Sequence, residues 1–147
     1  MHLMPGAPVM HSKDLVHWEI ASYVFDKLTD TPSYDLNGGT VYGRGQWASS
    51  IRYHNGKYYV LFSPNDKPFK SYIYETTNPM SGNWKLVTRA QHFHDNSLFF
   101  DDDGRVYVFY GTGSLRELKS DLSDVKPDGV NTTIFKRDSD ENGLLEG

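Results

Sequence analysis

The sequence predicts an all-β protein, an incomplete β-propeller of about three blades of antiparallel sheet, and three observations lead there. Short runs rich in aromatic and β-branched residues recur between clusters of turn residues. Two hairpins built from these runs superimpose in sequence at a spacing of 47 to 48 residues. Helix signals are nearly absent. A two-sheet sandwich is the competing architecture, since short strands joined by regular turns suit it as well.

Taken in order, "PVMHSKDLVHWEI" opens the chain with a strand, a turn and the start of another strand. "SIRYH" and "KYYVLFS" then flank Asn55-Gly56, the dipeptide that best satisfies the two positive φ angles of a type I′ hairpin turn. "SYIYETTNPMSGNWKLV" supplies the outer strands of that unit. "SLFFD" and "RVYVFYG" form the second hairpin, and "SLRELKSDLSDVKP" follows as its outer part. Ser50 to Tyr53 match Ser97 to Phe100 at an offset of 47, whereas Gly56-Lys57 match Gly104-Arg105 at an offset of 48. The difference is one extra aspartate in the second turn. The opening segment reads as a further copy of the outer part, with Trp18 in the place of Trp84. A repeat of several strands over 40 to 50 residues is the mark of a propeller. Its phase implies a chain that starts in the outer half of one blade, runs through two copies and stops about one period later. Because a ring closes with roughly 4 to 8 blades, the expectation is a fragment of a longer protein.

Composition narrows the partners. The chain has 147 residues, enough for one domain, and 15 Lys and Arg against 19 Asp and Glu give a net charge of -4 without any basic run. Nucleic acid and anionic membranes are thereby disfavoured as partners. There is no cysteine, which excludes a disulfide frame and Cys-ligated metals. The longest apolar run, "YYVLF", is far short of a bilayer span, and Pro5 and Pro8 interrupt an opening that has no secretory pattern. Localisation is left unknown.

Four aspartates crowd "HDNSLFFDDDGRVYVFYG". Asp101, Asp102 and Asp103 precede Gly104 at a hairpin and read as turn formers. A calcium loop with Gly104 in sixth place would put Phe99 first and Tyr110 last, where ligands are required. Asp95 is different: it enters the innermost strand where the first copy has Ala48, a polar side chain added to a fixed frame. Glu146 follows 51 residues later, one further period along. Two carboxyl groups facing one axial cavity are what glycoside hydrolysis needs, one protonated and one ionised. His92 and His94 are spaced for one face of a strand, a zinc-like pair without a third ligand. "GRGQW" lacks the third glycine and the helix of a dinucleotide loop. Trp47 is either core or a flat apolar platform for a sugar ring.

With these phrases assembled, "PVMHSKDLVHWEI", "GQWASSIRYHNGKYYVLFS", "HDNSLFFDDDGRVYVFYG" and the closing "EG" resemble glycoside hydrolase family 43, over nearly the whole chain and in the same order. The resemblance implies a five-bladed propeller and an inverting hydrolase of the β-xylosidase and α-L-arabinofuranosidase kind. It implies that Glu146, in Glu146-Gly147, is the general acid. It implies that Asp95 is the aspartate that tunes that acid and orients the sugar, with Asn96 where proline is usual. Trp47 matches the tryptophan that stacks on substrate, with Ser49 replacing proline, and His2 and His94 are expected to line the pocket. The general base would lie upstream of Met1, and no aspartate before Asp14 stands in for it.

The expectation is therefore one partial catalytic propeller domain over residues 1–147, lacking the start of blade 1 and most of blades 4 and 5. It would act on xylose- or arabinose-containing plant polysaccharides as part of a larger enzyme and be inactive alone. No cofactor is called for. Open sheet edges would invite self-association. Two other readings remain open at this point, a non-catalytic carbohydrate-binding propeller and a zinc hydrolase around His92 and His94.

Overall fold

A computed structural model describes residues 5–135, in which all regular structure is β. The ten strands are β1 (Gly6–His11), β2 (Glu19–Phe25), β3 (Gln46–His54), β4 (Lys57–Pro64), β5 (Lys70–Thr76), β6 (Lys85–Gln91), β7 (Ser97–Phe100), β8 (Val106–Tyr110), β9 (Ser114–Leu118) and β10 (Asn131–Thr133). They form three antiparallel sheets: β1 with β2, β3 through β6 in chain order, and β7 through β10 in chain order. This is the predicted all-β architecture. Sheets that follow one another along the chain, each a meander of neighbouring strands, are the successive blades of a propeller.

The repeat read from the sequence is also a repeat in pairing. Tyr53 faces Tyr58 and Ser50 faces Leu61 in the first hairpin, and Phe100 faces Val106 and Ser97 faces Phe109 in the second. The second turn is one residue longer, as the extra aspartate requires. Asn55 and Gly56 adopt φ of 47° and 80°, the left-handed geometry that makes Asn-Gly the preferred turn pair. Two strand limits differ from the sequence expectation. β3 starts at Gln46 rather than Ser50, because a register shift that takes up Trp47 and Ala48 between Gln46 and Ser49 lets the pairing with β4 run on to Pro64. β2 runs on through "ASYVF", whose last two residues turn inward while Ile20 stays exposed.

Packing explains the unbroken apolar run of β4. Val60 and Phe62 on one face join Tyr72 and Tyr74 of β5 and meet Val24, Phe25, Leu28, Tyr34 and Val41 from the β1–β2 side. On the opposite face, Tyr59, Leu61 and Ile73 meet Leu98, Val106, Val108 and Leu118 of the third sheet. A sheet covered on both faces has no solvent side, so its strands lose the alternating pattern. Phe62 stacks between Phe25 and Tyr72, with ring centroids 5.2 and 5.3 Å away. The outer sheets are covered on one face only: Phe99 on the third sheet, Ile134 just past its last strand, and Met10 and Ile20 on the first are about half exposed. Trp18 is 52% exposed, whereas its repeat partner Trp84 packs on the first core. The reason is positional, since among the described residues no sheet precedes β1.

Phe62→Ala should therefore destabilise the fold by ~3–5 kcal/mol, the range for truncating a large buried aromatic. Urea unfolding checks this as a lowered midpoint at unchanged slope.

Candidate functional site

Antiparallel pairing sorts the loops to two ends. One end gathers the approach to β3, the β4–β5 loop, the β6–β7 loop and the β8–β9 turn: Gln46 pairs with Pro64, Lys70 pairs with Gln91, and the Gly111 N–H donates to the His94 carbonyl at 2.7 Å. The other end holds the Asn55–Gly56 turn, the β5–β6 connection and the turn from Asp101 to Gly104. This separates the four aspartates. Asp101 accepts from the Gly104 N–H at 3.1 Å, and Asp103 accepts from the Arg105 N–H at 3.0 Å and pairs with the Arg105 guanidinium. Those hydrogen bonds from Arg105 hold the Asp103 carboxyl below its usual value. They are turn groups. Asp95 lies at the opposite end, two residues before β7.

Around Asp95 the sequence-predicted residues converge. The Asp95 side chain is 13% exposed, and its Oδ2 is 3.1 Å from His94 Nε2. The His94 ring lies 5.7 Å from the Trp47 ring, tilted by 54°. Trp47 is 41% exposed and donates its indole N–H to the Gly43 carbonyl at 3.2 Å, which fixes the ring while leaving much of it accessible. Asp95 itself has φ of 44°, a left-handed conformation that Asp tolerates better than most residues. An accessible indole beside a carboxylate and an imidazole can hold a hydroxylated ring by stacking and hydrogen bonds together. A concavity of about 340 Å³ adjoins β3, lined by Pro8, Met10, Gln46, Ser49 and Ile51 among others, and includes neither His94 nor Asp95. Its apolar lining offers no acid–base group.

Beneath the cluster lies a buried polar knot that ties three elements together. Ser63 at the end of β4 donates to the Phe93 carbonyl at 2.8 Å, and Ser71 at the start of β5 accepts from the Phe93 N–H at 2.8 Å. The 2.6 Å contact between the two hydroxyls then has one consistent sense, with Ser71 donating to Ser63. Asn96 adds its amide, donating to Ser63 Oγ and to the Phe93 carbonyl, both at 2.7 Å. Asn96 thus has a structural reason to replace proline: its side-chain amide bridges Ser63 and the carbonyl of Phe93, the residue between His92 and His94.

His92 completes the arrangement. Its ring is 6.3 Å from His94 and 5.7 Å from Phe69, the latter edge-on at 88°. Burial pushes the His92 imidazole below its ordinary value, with a hydrogen bond to the Pro64 carbonyl acting in the opposite sense. Nε2 is buried without a partner, so the nitrogen bonded to Pro64 is Nδ1. Among the described residues no group of three or more His, Asp or Glu side chains is placed to hold a metal ion. The histidine pair reads as stacked rings.

Trp47, His94 and Asp95 are thus brought together, whereas His2 and Glu146 lie outside the described residues. Sequence reasoning missed Phe69 and the Ser63–Ser71–Asn96 knot. The signal for Phe69 was the unequal loop between otherwise matched copies, "SPNDKPFKS" against "GTG". The serines carried no signal, because their role exists only once β4, β5 and the β6–β7 loop meet.

Asn96→Ala should cost ~1–3 kcal/mol, since it leaves Ser63 and Phe93 short of a buried donor; chemical denaturation measures it. The neutral state of His92 contributes stability in full above the ordinary imidazole value of about 6.5. Below that value the unfolded chain takes up its proton first, so the contribution shrinks and is gone once pH passes the lower folded value. Wild type should therefore lose more urea resistance between about pH 7.5 and 5 than His92→Phe, which keeps the ring but cannot titrate.

Comparison with known proteins follows the same lines. The sequence profile of Glycosyl hydrolases family 43 matches residues 2–138. Structurally, the chain is similar to a bifunctional GH43-CE protein from Bacteroides eggerthii, with a TM-score of 0.82 and 44% identity over 92% of this chain and 18% of that one. A xylosidase/arabinosidase of Butyrivibrio fibrisolvens is 36% identical over 74% of this chain and 20% of its own length. A non-reducing end alpha-L-arabinofuranosidase of Bacteroides ovatus is 30% identical over 85% of this chain and 27% of its own length. The chain thus spans between 18% and 27% of the length of these three relatives. Profile, sequence and three-dimensional likeness agree, and the chain belongs to glycosyl hydrolases family 43.

Proposed function

We propose that this chain carries the sugar-orienting half of a glycosidase active site, in an enzyme that cleaves xylose- or arabinose-containing plant polysaccharides with inversion. The observation that carries the reading is the meeting of Trp47, His94 and Asp95 at one end of the sheets. In this reading Trp47 takes the apolar face of the sugar, while His94 holds Asp95 through its 3.1 Å contact. Asp95 orients the ring hydroxyls and acts electrostatically on the general acid, assigned to Glu146. Inversion requires a second carboxylate to activate water on the far face of the sugar. No aspartate or glutamate precedes Asp14 in the chain, and Asp14 is tied up in the β1–β2 turn by His17 at 2.7 Å. The 147-residue chain alone is accordingly inactive, and hydrolysis belongs to the full product of its gene, with residues 1–147 as part of a catalytic propeller domain.

Turnover of 4-nitrophenyl β-D-xylopyranoside and α-L-arabinofuranoside tests this. The chain alone should release no nitrophenol and the full gene product should. In that product, Glu146→Gln and Asp95→Asn should each lower kcat by at least about 100-fold, the scale of a lost acid or of a misplaced charge. Hydrolysis by the isolated chain sinks the assignment of a separate base. Saccharide binding by the full product without turnover moves the protein to the carbohydrate-binding reading.

A further inference from the structure

Trp47 and Asp95 belong to different sheets, Trp47 to the start of β3 and Asp95 to the approach to β7, so acting on one ligand requires a fixed spacing between those sheets. On the second sheet the register is informative. Gln46 pairs with Pro64 and Ser49 with Phe62, which leaves Ser63 opposite Trp47 and Ala48. On the third sheet the chain neighbour of Asp95 is Asn96, which stands where the family resemblance calls for proline. Ser63 and Asn96 meet: the Asn96 side-chain amide donates to Ser63 Oγ at 2.7 Å, and the two residues are only 5% and 7% exposed.

That hydroxyl has no spare capacity. Ser63 donates to the Phe93 carbonyl at 2.8 Å and accepts from both Ser71 and Asn96, which uses its one hydrogen and both lone pairs. The second Asn96 bond runs to the Phe93 carbonyl, three residues back, at 2.7 Å, and closes a turn that contains His94 and Asp95. Asp95 sits inside that turn with φ of 44°, and left-handed geometry at a residue other than glycine persists where its surroundings over-determine it. The flanks supply the rest: the Gly111 N–H holds the His94 carbonyl at 2.7 Å, and Arg52 of β3 donates to Ser97 Oγ at 2.6 Å. Two consecutive residues, Asn96 and Ser97, thus bond across to the sheet that carries Trp47.

We infer, on the glycosidase reading of the site, that Asn96 is a positioning residue that holds the Asp95 carboxylate at a set place relative to Trp47. One amide hydrogen shapes the turn around Asp95, and the other ties that turn to the second sheet. Proline would stiffen the backbone at this place but carries no donor for either acceptor. Asn96, being buried, acts through Asp95 and not on the sugar. A sugar stacked on Trp47 keeps that contact when Asn96 is changed. The loss therefore falls on the chemical step, where a displacement of about 1 Å can cost on the order of 100-fold, and not on KM.

The test is a double-mutant cycle in the full gene product. Asn96→Ala is made in wild type and in the Asp95→Asn background, with Ser63→Ala as the second route to the same lost bond if Asn96→Ala does not fold. Turnover of the aryl xyloside and arabinofuranoside is read below the unfolding temperature of each variant. Asn96→Ala should lower kcat about 10- to 100-fold with KM within about threefold, and in the Asp95→Asn background it should lower kcat by less than about threefold further. A purely structural role lowers kcat equally in both backgrounds; that result, or unchanged kcat in Asn96→Ala, overturns the inference. Absence of turnover in wild type defeats the glycosidase reading instead. Crystal structures of wild type and Asn96→Ala then decide the positioning: loss of the left-handed Asp95 conformation and of its contact with His94 supports it, and an unmoved Asp95 overturns it.

Discussion

The two-faced burial of β4 and β5 is the constraint on which the rest of the structure depends. Alternate residues of these strands enter different cores, with Val60, Phe62, Tyr72 and Tyr74 on one side and Tyr59, Leu61 and Ile73 on the other. A one-residue slip would exchange the two sets and put tyrosines where the branched residues fit. Register is thus fixed twice over. Each face locks the central sheet to a different neighbour, so the angle between neighbouring sheets follows from side-chain packing, with Arg52 Nη2 donating to Ser97 Oγ at 2.6 Å between the inner strands β3 and β7.

That fixed frame is what allows polar groups at one end to be exact in position. The loop carrying His92, His94 and Asp95 has few apolar anchors of its own apart from Phe93, which is fully buried in the second core. Its backbone is held by Ser63, Ser71 and Asn96, each of which sits on or beside a strand whose register is already set. Function therefore inherits its precision from the sheet. Asp95 and its neighbours point together because the residue at the middle of their loop is both a core side chain and the hub of a hydrogen-bonded knot.

Much of this was legible in the chain because strands declare themselves by local chemistry. Asn55-Gly56 announces its turn by conformational preference alone. The offset of 47 against 48 announced a turn one residue longer, and the pairing of Phe100 with Val106 realises it. The turn role of Asp101 to Asp103 followed from Gly104 in the same way. Asp95 stood out against Ala48 of the matched copy and Trp47 stayed open between core and platform; their roles were reached by likeness to a family, because nothing in local sequence says that residues 48 positions apart will share a surface. The Ser63–Ser71–Asn96 knot was out of reach. Serine has no preference that identifies a buried partner, and the knot joins residues separated by up to 33 positions. Phe69 fell between these cases: "PNDKPF" reads as loop, and only its surplus over the matching loop sets apart the residue whose ring meets His92.

The division of the loops between two ends has a practical corollary. The Asn55–Gly56 hairpin tip is remote from Trp47 and His94, solvent-exposed at both residues, and closed by a pairing that does not involve the loops of the opposite rim. A fluorophore or an affinity handle grafted there would ride on the blade whose two faces are both covered, away from the cluster of Trp47, His94 and Asp95. The molecule thereby offers a built-in attachment point for immobilising or imaging it with the rim that carries Trp47 and Asp95 turned outward.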